Sequence, residues 1–243
     1  MSKSLRKDFY REIKKSFSRF ISIMLIVVLG VAFYSGIRSA MPAMKLTADR
    51  IYDEQGLMDI RVVGTLGLTA DDLEKIREIE GVQNAEGSFS NDFICLANSS
   101  EVVTKVFSMP DKINDIKIEE GRYPEKYNET VVSREFLEAT GFKTGDFVTF
   151  LTGTEDSVFD TMASETYQIV GVASSSYFLN GDIGTSTIGD GVVDGFAVIP
   201  REAFVTDVYT SIYISVEGAA ELDCFSDEYQ AKIDTVIERV KAI

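Results

Sequence analysis

The 243-residue chain contains no histidine and no tryptophan, and only two cysteines and four prolines. Without histidine, no imidazole can act as base for a serine or cysteine nucleophile, so the familiar triad chemistries are excluded. Cys95 and Cys224 stand alone, whereas a zinc site needs clustered Cys/His ligands. The two thiols can pair outside the cell. Cys95 also reads as a buried free thiol, because it sits in the apolar run Phe93-Ile94-Cys95-Leu96. There is no G-x-S-x-G elbow, and there is no P-loop with which to hydrolyse ATP. A carboxylate pair is the one hydrolytic device available. With thirty-seven Asp/Glu after Arg38, neighbouring acids are expected by chance and do not argue for a glycosidase. No catalytic, cofactor-binding or metal-ligating residue is assigned.

Long hydrophobic runs are scarce too, with one exception. Phe20–Ile37 (FISIMLIVVLGVAFYSGI) is uncharged and lies between Arg19 and Arg38. At about 1.5 Å per residue it makes roughly 27 Å of helix, close to the ~30 Å hydrocarbon core of a bilayer. Eleven of its eighteen residues are Leu, Ile, Phe or Val. Together they favour insertion by about 3 to 7 kcal/mol before penalties. A cleaved signal peptide is the competing reading, but its apolar region is shorter, and Ser39-Ala40-Met41-Pro42-Ala43 is a poor cleavage site. The run therefore reads as an uncleaved anchor.

Charge sets the expected orientation. Residues 1–19 carry seven Lys/Arg and two acids, whereas residues 39–243 carry sixteen Lys/Arg against thirty-seven acids. Basic flanks stay cytoplasmic, so the N-terminus is expected inside and the acidic bulk outside. Leu5, Phe9, Ile13, Phe17 and Phe20 recur every three to four residues among the basic ones. That is the pattern of an amphipathic helix in the cytoplasmic membrane interface, although the basic run serves equally as a topology signal alone. The acidic bulk argues against nucleic acid as a partner.

The remaining pattern is mixed. Residues 41–57 continue the membrane helix outward, kinked or restarted at Pro42. Asp59–Val63 alternates as a strand, and Thr69 with Asp72 makes a capping box for a helix over Ala70–Glu80 that ends at Gly81. Val82–Leu96 and Glu101–Phe107 read as strands, followed by Asp115–Glu119 and Glu129–Val132. Ser133 caps a helix Arg134–Thr140 closed by Gly141, and Lys143–Asp146 turns into the strand Phe147–Leu151. Strands at Thr166–Val172, Gly195–Ile199 and Val208–Val216 and a turn-helix at Pro200–Phe204 complete the body. Strands and helices without a βαβ rhythm point to an α+β fold.

Two segments stay open. The glycine-rich loop Ser174–Gly195 offers Asp182, Asp190 and Asp194 as oxygen ligands for Ca²⁺, but its spacing matches neither an EF-hand nor a nonapeptide repeat. A plain surface loop is the simpler reading. Ile183, Ile188, Val192 and Val193 leave partner contact open. The last helix, Asp227–Ile243, carries the stripe Tyr229, Ile233, Val236, Ile237 and Val240. The stripe either packs on the domain or starts a coiled-coil stalk. No stop signal follows it, which suggests a fragment of a longer chain.

Five stretches in order carry a resemblance. They are Glu120-Gly121-Arg122-Tyr123-Pro124; Glu129-Thr130-Val131-Val132-Ser133; Gly141–Val148 with its G-x-x-x-G-D-x-V pattern; Tyr167–Val172; and Ser186–Gly191 with Tyr209–Tyr213. Together with the basic start and single span, they resemble the FtsX/MacB-like permeases of ABC transporters, particularly the large Gram-positive forms. The resemblance implies a bacterial cell membrane location, a cytoplasmic ATPase subunit as partner, and dimers of permeases, homo- or heteromeric. It also implies that ATP-driven motion is passed to an extracytoplasmic domain acting on peptides, lipids or envelope signalling, with no catalytic residue to carry over.

The implied division is 1–19 cytoplasmic or interfacial helix, 20–38 transmembrane helix, 39–226 extracytoplasmic MacB-like α+β domain and 227–243 C-terminal helix. The rival reading is a stand-alone, single-span anchored sensor or binding domain.

Overall fold

A computed structural model describes residues 9–11, 15, 17–97, 100–178 and 183–242. The expected interfacial helix over 1–19 lies largely outside the described residues, Leu5 and Ile13 included. Two compact units are distinguished, Met1–Ala48 and Asp49–Ile243.

Helix α1 runs from Phe17 to Glu54, with Pro42 inside it and no residue buried. Its apolar side chains therefore find no protein partner, as expected of a lipid-facing span.

The second unit holds two sheets. The smaller is built from β1 (Ile60–Val62), β2 (Val82–Ser88) and β10 (Ser211–Val216) in the order β1-β10-β2, all antiparallel. Two helices cover it. The first, α2 (Ala70–Arg77), starts in the expected capping box: Thr69 Oγ1 accepts from Asp72 N, and Asp72 returns the bond to Thr69 N. It ends earlier than the expected Glu80, although Gly81 does take φ +94°.

The terminal helix (Asp227–Val240, α4 below) is capped by Ser226. Its stripe packs on the domain: Ile233 and Val236 are buried beside Ile60, Leu73 and Ile214. Each is worth about 1.5 to 3 kcal/mol of burial, so this part of the stripe is held in the core of the small sheet.

The larger sheet contains β3 (Ser90–Ala97), β4 (Ser100–Ser108), β5 (Ile116–Gly121), β6 (Glu129–Val132), β7 (Phe147–Leu151), β8 (Thr166–Ser175) and β9 (Gly195–Ile199). Its order is β5-β8-β6-β9-β4-β3-β7, and β7 returns to β8. Gln168 pairs with Glu129 of β6 on one side and with Phe147 of β7 on the other, so six strands close into a barrel. The barrel interior holds Phe93, Val106, Val132, Phe150, Tyr167 and Ile169, none of them exposed. The short helix α3 (Arg134–Thr140), capped by Ser133 and closed by Gly141 at φ +76°, adds Phe136. The alternate residues Val103, Phe107, Val131, Val170 and Val198 point outward into a second core.

The sequence reading of Val82–Leu96 as one strand is corrected here. The chain leaves the small sheet after Ser88 and enters the barrel at Ser90. Phe89 marks the crossing. Its backbone N–H donates to Ser108 Oγ and its ring packs in the barrel cluster.

Candidate functional site

Residues 49–59, the end of α1 and the turn after it, are tied to the domain at several points. Asp49 Oδ1 accepts from Cys224 N at 2.8 Å. Asp115 N donates to Gln55 O at 2.9 Å, and Asn114 N to Gly56 O at 2.8 Å. Gln55 Oε1 also accepts from Ser176 N, at the end of the β8 segment. Asp59 N donates to Ile214 O, while its carboxylate accepts from Val216 N and from the Tyr229 hydroxyl, each at 2.6 Å. Residues 49–59 are thus bonded to the barrel flank, the small sheet, the 219–225 linker and α4. A groove of about 400 Å³ runs along the seam, lined among others by Tyr52, Leu57, Met58, Ala219, Phe225 and Tyr229.

Local sequence explains this geometry. Gly56 takes φ +55° and ends the helix, with a Cβ there reaching only 3.0 Å from Lys112 O. Asn114 takes φ +60°, a conformation asparagine tolerates better than most residues, and its Oδ1 accepts from Met58 N at 2.9 Å. Opposite, Glu86 of β2 accepts three backbone bonds, from Asp111, Lys112 and Ile113.

Burial dominates the electrostatics along this seam. Burial raises the Asp59 carboxyl above its usual range, against the lowering effect of its bonds from Tyr229 and Val216. Burial, and then Asp59 itself, push the Tyr229 hydroxyl up. Cys224 is pushed up to about 12, first by burial and then by Asp49, and Cys95 to about 11 by burial. Both thiols are free. Neither is a thiolate nucleophile near neutral pH. Among the described residues, Asp49, Asp223 and Cys224 form the one group whose ligand atoms lie within 4.8 Å of each other. Asp49 accepts the Cys224 backbone N–H within this group.

The glycine-rich loop differs from both special readings. Asp194 accepts from Val103 N at 2.9 Å and Asp190 from Val192 N at 3.1 Å, so both carboxylates hold backbone. Asp182 lies outside the described residues. Ile183 and Val193 are buried and Ile188 packs on the outer barrel core, which leaves Val192 exposed. The loop is a cover for that core.

The sequence motifs converge on structure rather than chemistry. Gly121 faces Gly171 across β5 and β8. A Cβ at Gly121 would lie 2.2 Å from Val170 O, and one at Gly171 would lie 2.7 Å from Glu120 O. Arg122 grips Glu129 with two bonds, of 2.7 and 2.8 Å. Three of the quoted stretches therefore meet at one place. Arg122, with backbone bonds from Glu125 and Lys126, lowers the Glu129 carboxyl to about 2.

The family model of the MacB-like periplasmic core domain matches residues 20–232. No curated protein matches the sequence. Among solved structures, the chain is similar to the extracellular domain of the noncanonic ABC-type transporter YknZ from Gram-positive bacteria. Identity is 11%, with 71% of this chain and 85% of that chain covered and a TM-score of 0.42. It is also similar to the periplasmic region of MacB from Actinobacillus actinomycetemcomitans, at 11% identity, 74% and 75% coverage and a TM-score of 0.39. A domain of a putative permease protein from Porphyromonas gingivalis follows at 14% identity, 62% and 69% coverage and a TM-score of 0.35. The chain belongs to the MacB-like periplasmic core domain family.

Proposed function

We propose that this chain is the first membrane span and first extracytoplasmic domain of an FtsX/MacB-type ABC transporter permease. In this reading its N-terminus is cytoplasmic and its acidic domain is extracytoplasmic. A separate cytoplasmic ATPase supplies the work, and permeases pair as dimers. Motion reaches the domain through α1 and is spent outside the membrane, on export or extraction of peptides or lipids or on envelope signalling. The observation that carries the reading is the seam. Residues 49–59, the end of α1 and the turn after it, are hydrogen-bonded to both sheets and to α4, so displacing them strains the whole domain.

Three experiments test this. The full-length protein, tagged and expressed from its own locus, is purified in mild detergent and its partners identified. Recovery of a P-loop ATPase supports the permease, and recovery of the chain alone points to an anchored sensor. For topology, protease added to wall-free cells should digest beyond about residue 45 and spare the first twenty. Cleavage of the N-terminus instead reverses the orientation. Substituting Leu25, Val28 and Leu29 together by Arg costs about 2.5 to 3.5 kcal/mol each at the helix centre and should abolish membrane retention.

A further inference from the structure

At the end of the small sheet opposite Asp59, three loops enclose a second concavity. Its lining comes from Gly64–Gly67, from Phe89–Asn91, from Asp160 and Thr161, and from residues 204–210, around a volume of about 360 Å³. The loops are physically joined. Leu68 bridges Tyr209, Met162 bridges Phe204, and Val205 N donates to Thr161 O. The floor is aromatic: the Phe89 ring lies 5.3 Å from Phe204 and 5.0 Å from Tyr209.

The rim is apolar and wet. Leu66 is 94% exposed, and Val63, Phe159, Val205 and Val208 are all more than 40% exposed. Leu66 sits in a turn closed by Gly67 N to Gly64 O, with Gly67 at φ +83°. That turn holds the leucine out in water. Leu66 and Val208 line the groove itself, while Val63, Phe159 and Val205 adjoin its lining residues Gly64, Asp160 and Phe204 in the chain, so the apolar exposure comes from three separate loops.

Charge narrows the occupant. Residues 63–68, 157–162 and 202–210 carry Asp160, Glu202 and Asp207 and no Lys or Arg. Arg201, a neighbouring base with a partly exposed side chain, does not line the groove and is engaged elsewhere. It donates to Gly87 O, lies 4.0 Å from Glu86 and stacks its guanidinium against Phe89 and Tyr209. An anionic lipid or an acidic segment would meet only like charge here.

We infer that this groove is a docking surface for a protein segment that presents apolar side chains flanked by Lys or Arg. Its apolar residues pack on Leu66, Val208 and the aromatic floor, and its bases pair with Asp160 and Asp207. The groove goes beyond the permease reading and stands independently of it.

The 243-residue chain lacks tryptophan, so Leu66→Trp in this chain, held in neutral-lipid nanodiscs, supplies a single reporter on the rim. At 94% exposure the substitution should leave thermal unfolding unchanged. The probes are a Leu/Lys amphipathic peptide and its Leu/Glu counterpart. The Leu/Lys peptide should shift the emission to the blue and saturate. The effect should weaken several-fold in Asp160→Asn/Asp207→Asn and at high salt, and be absent with Leu/Glu. A reporter at Phe147→Trp, an exposed position on β7, should stay silent. An equal response at both reporters would mean adsorption by net charge and overturn the inference. So would no response at either, or a shift that follows protein concentration without peptide, which marks a second copy as the occupant.

Discussion

The barrel and the three-stranded sheet are built from similar residues but hold together differently. Each of the six barrel strands has neighbours on both sides, with β5 appended outside the closure, and the interior is filled by buried side chains. The small sheet has two open edges, and β1 is three residues long. Its order is lent by α2, α4 and the segment after α1. Closure makes a scaffold that gives way all at once, whereas an open sheet stapled by helices yields locally. The small sheet also has the seam at one end, by Asp59 and Val216, and the apolar groove at the other, by Leu68 and Tyr209. In the proposed permease, the small sheet is the half that would carry motion.

The largest effect expected of this contrast is in the barrel. Phe150→Ala should cost about 3 to 5 kcal/mol and lower the urea midpoint of the entire domain, because Phe150 is fully buried against Phe93 and Tyr167. A partial transition that spares the small sheet would show that the two halves fold independently.

Deleting one hydroxyl in each half sharpens the comparison. Ser133 Oγ is buried and accepts from both Phe136 N and Phe196 N. Ser133→Ala leaves two buried donors unpaired and should cost about 2 to 4 kcal/mol. Thr69 is an exposed cap, and Thr69→Ala should cost about 1 kcal/mol, confined to α2. Equal losses in chemical denaturation would remove the distinction.

The smallest effect is in pH dependence, where the two halves have opposite signs. Glu129 has its carboxyl lowered from 4.5 to about 2, so its contribution is present above pH ~4.5 and is lost as pH falls through that window. Asp59 has its carboxyl raised from 3.8, so its contribution is present at low pH and lost as pH rises through the folded value. Glu129→Gln should flatten the acid limb of barrel stability. Asp59→Asn should slow hydrogen exchange in α4 at neutral pH relative to wild type and make it insensitive to acidification. Faster exchange in Asp59→Asn would show that the ionised carboxylate, and not the neutral side chain, holds the seam.

Much of the local structure was legible because its causes are local. The capping box at Thr69, the Ser133 cap and the Gly141 closure follow from residues three or four apart, and the strands Glu129–Val132 and Gly195–Ile199 fall where alternation and glycine placed them. The seam was not legible. Asp59 lies more than 150 residues from both Val216 and Tyr229, and a lone aspartate before a strand looks like any surface acid. The apolar groove could be suspected only from Leu66 between two glycines. Its other members are ordinary loop residues until the fold gathers them.

The sequence by itself determined the long apolar helix, the charge asymmetry and the α+β class, because each depends on composition or on a period of a few residues. Only the tertiary structure decided that Phe89 divides one β run between two sheets, that Gln168 closes a barrel, and that the glycine-rich loop seals a core. Alternation shows which face of a strand is apolar, but it carries no information about which strand lies beside it. That choice is made by the packing of side chains distant in the chain.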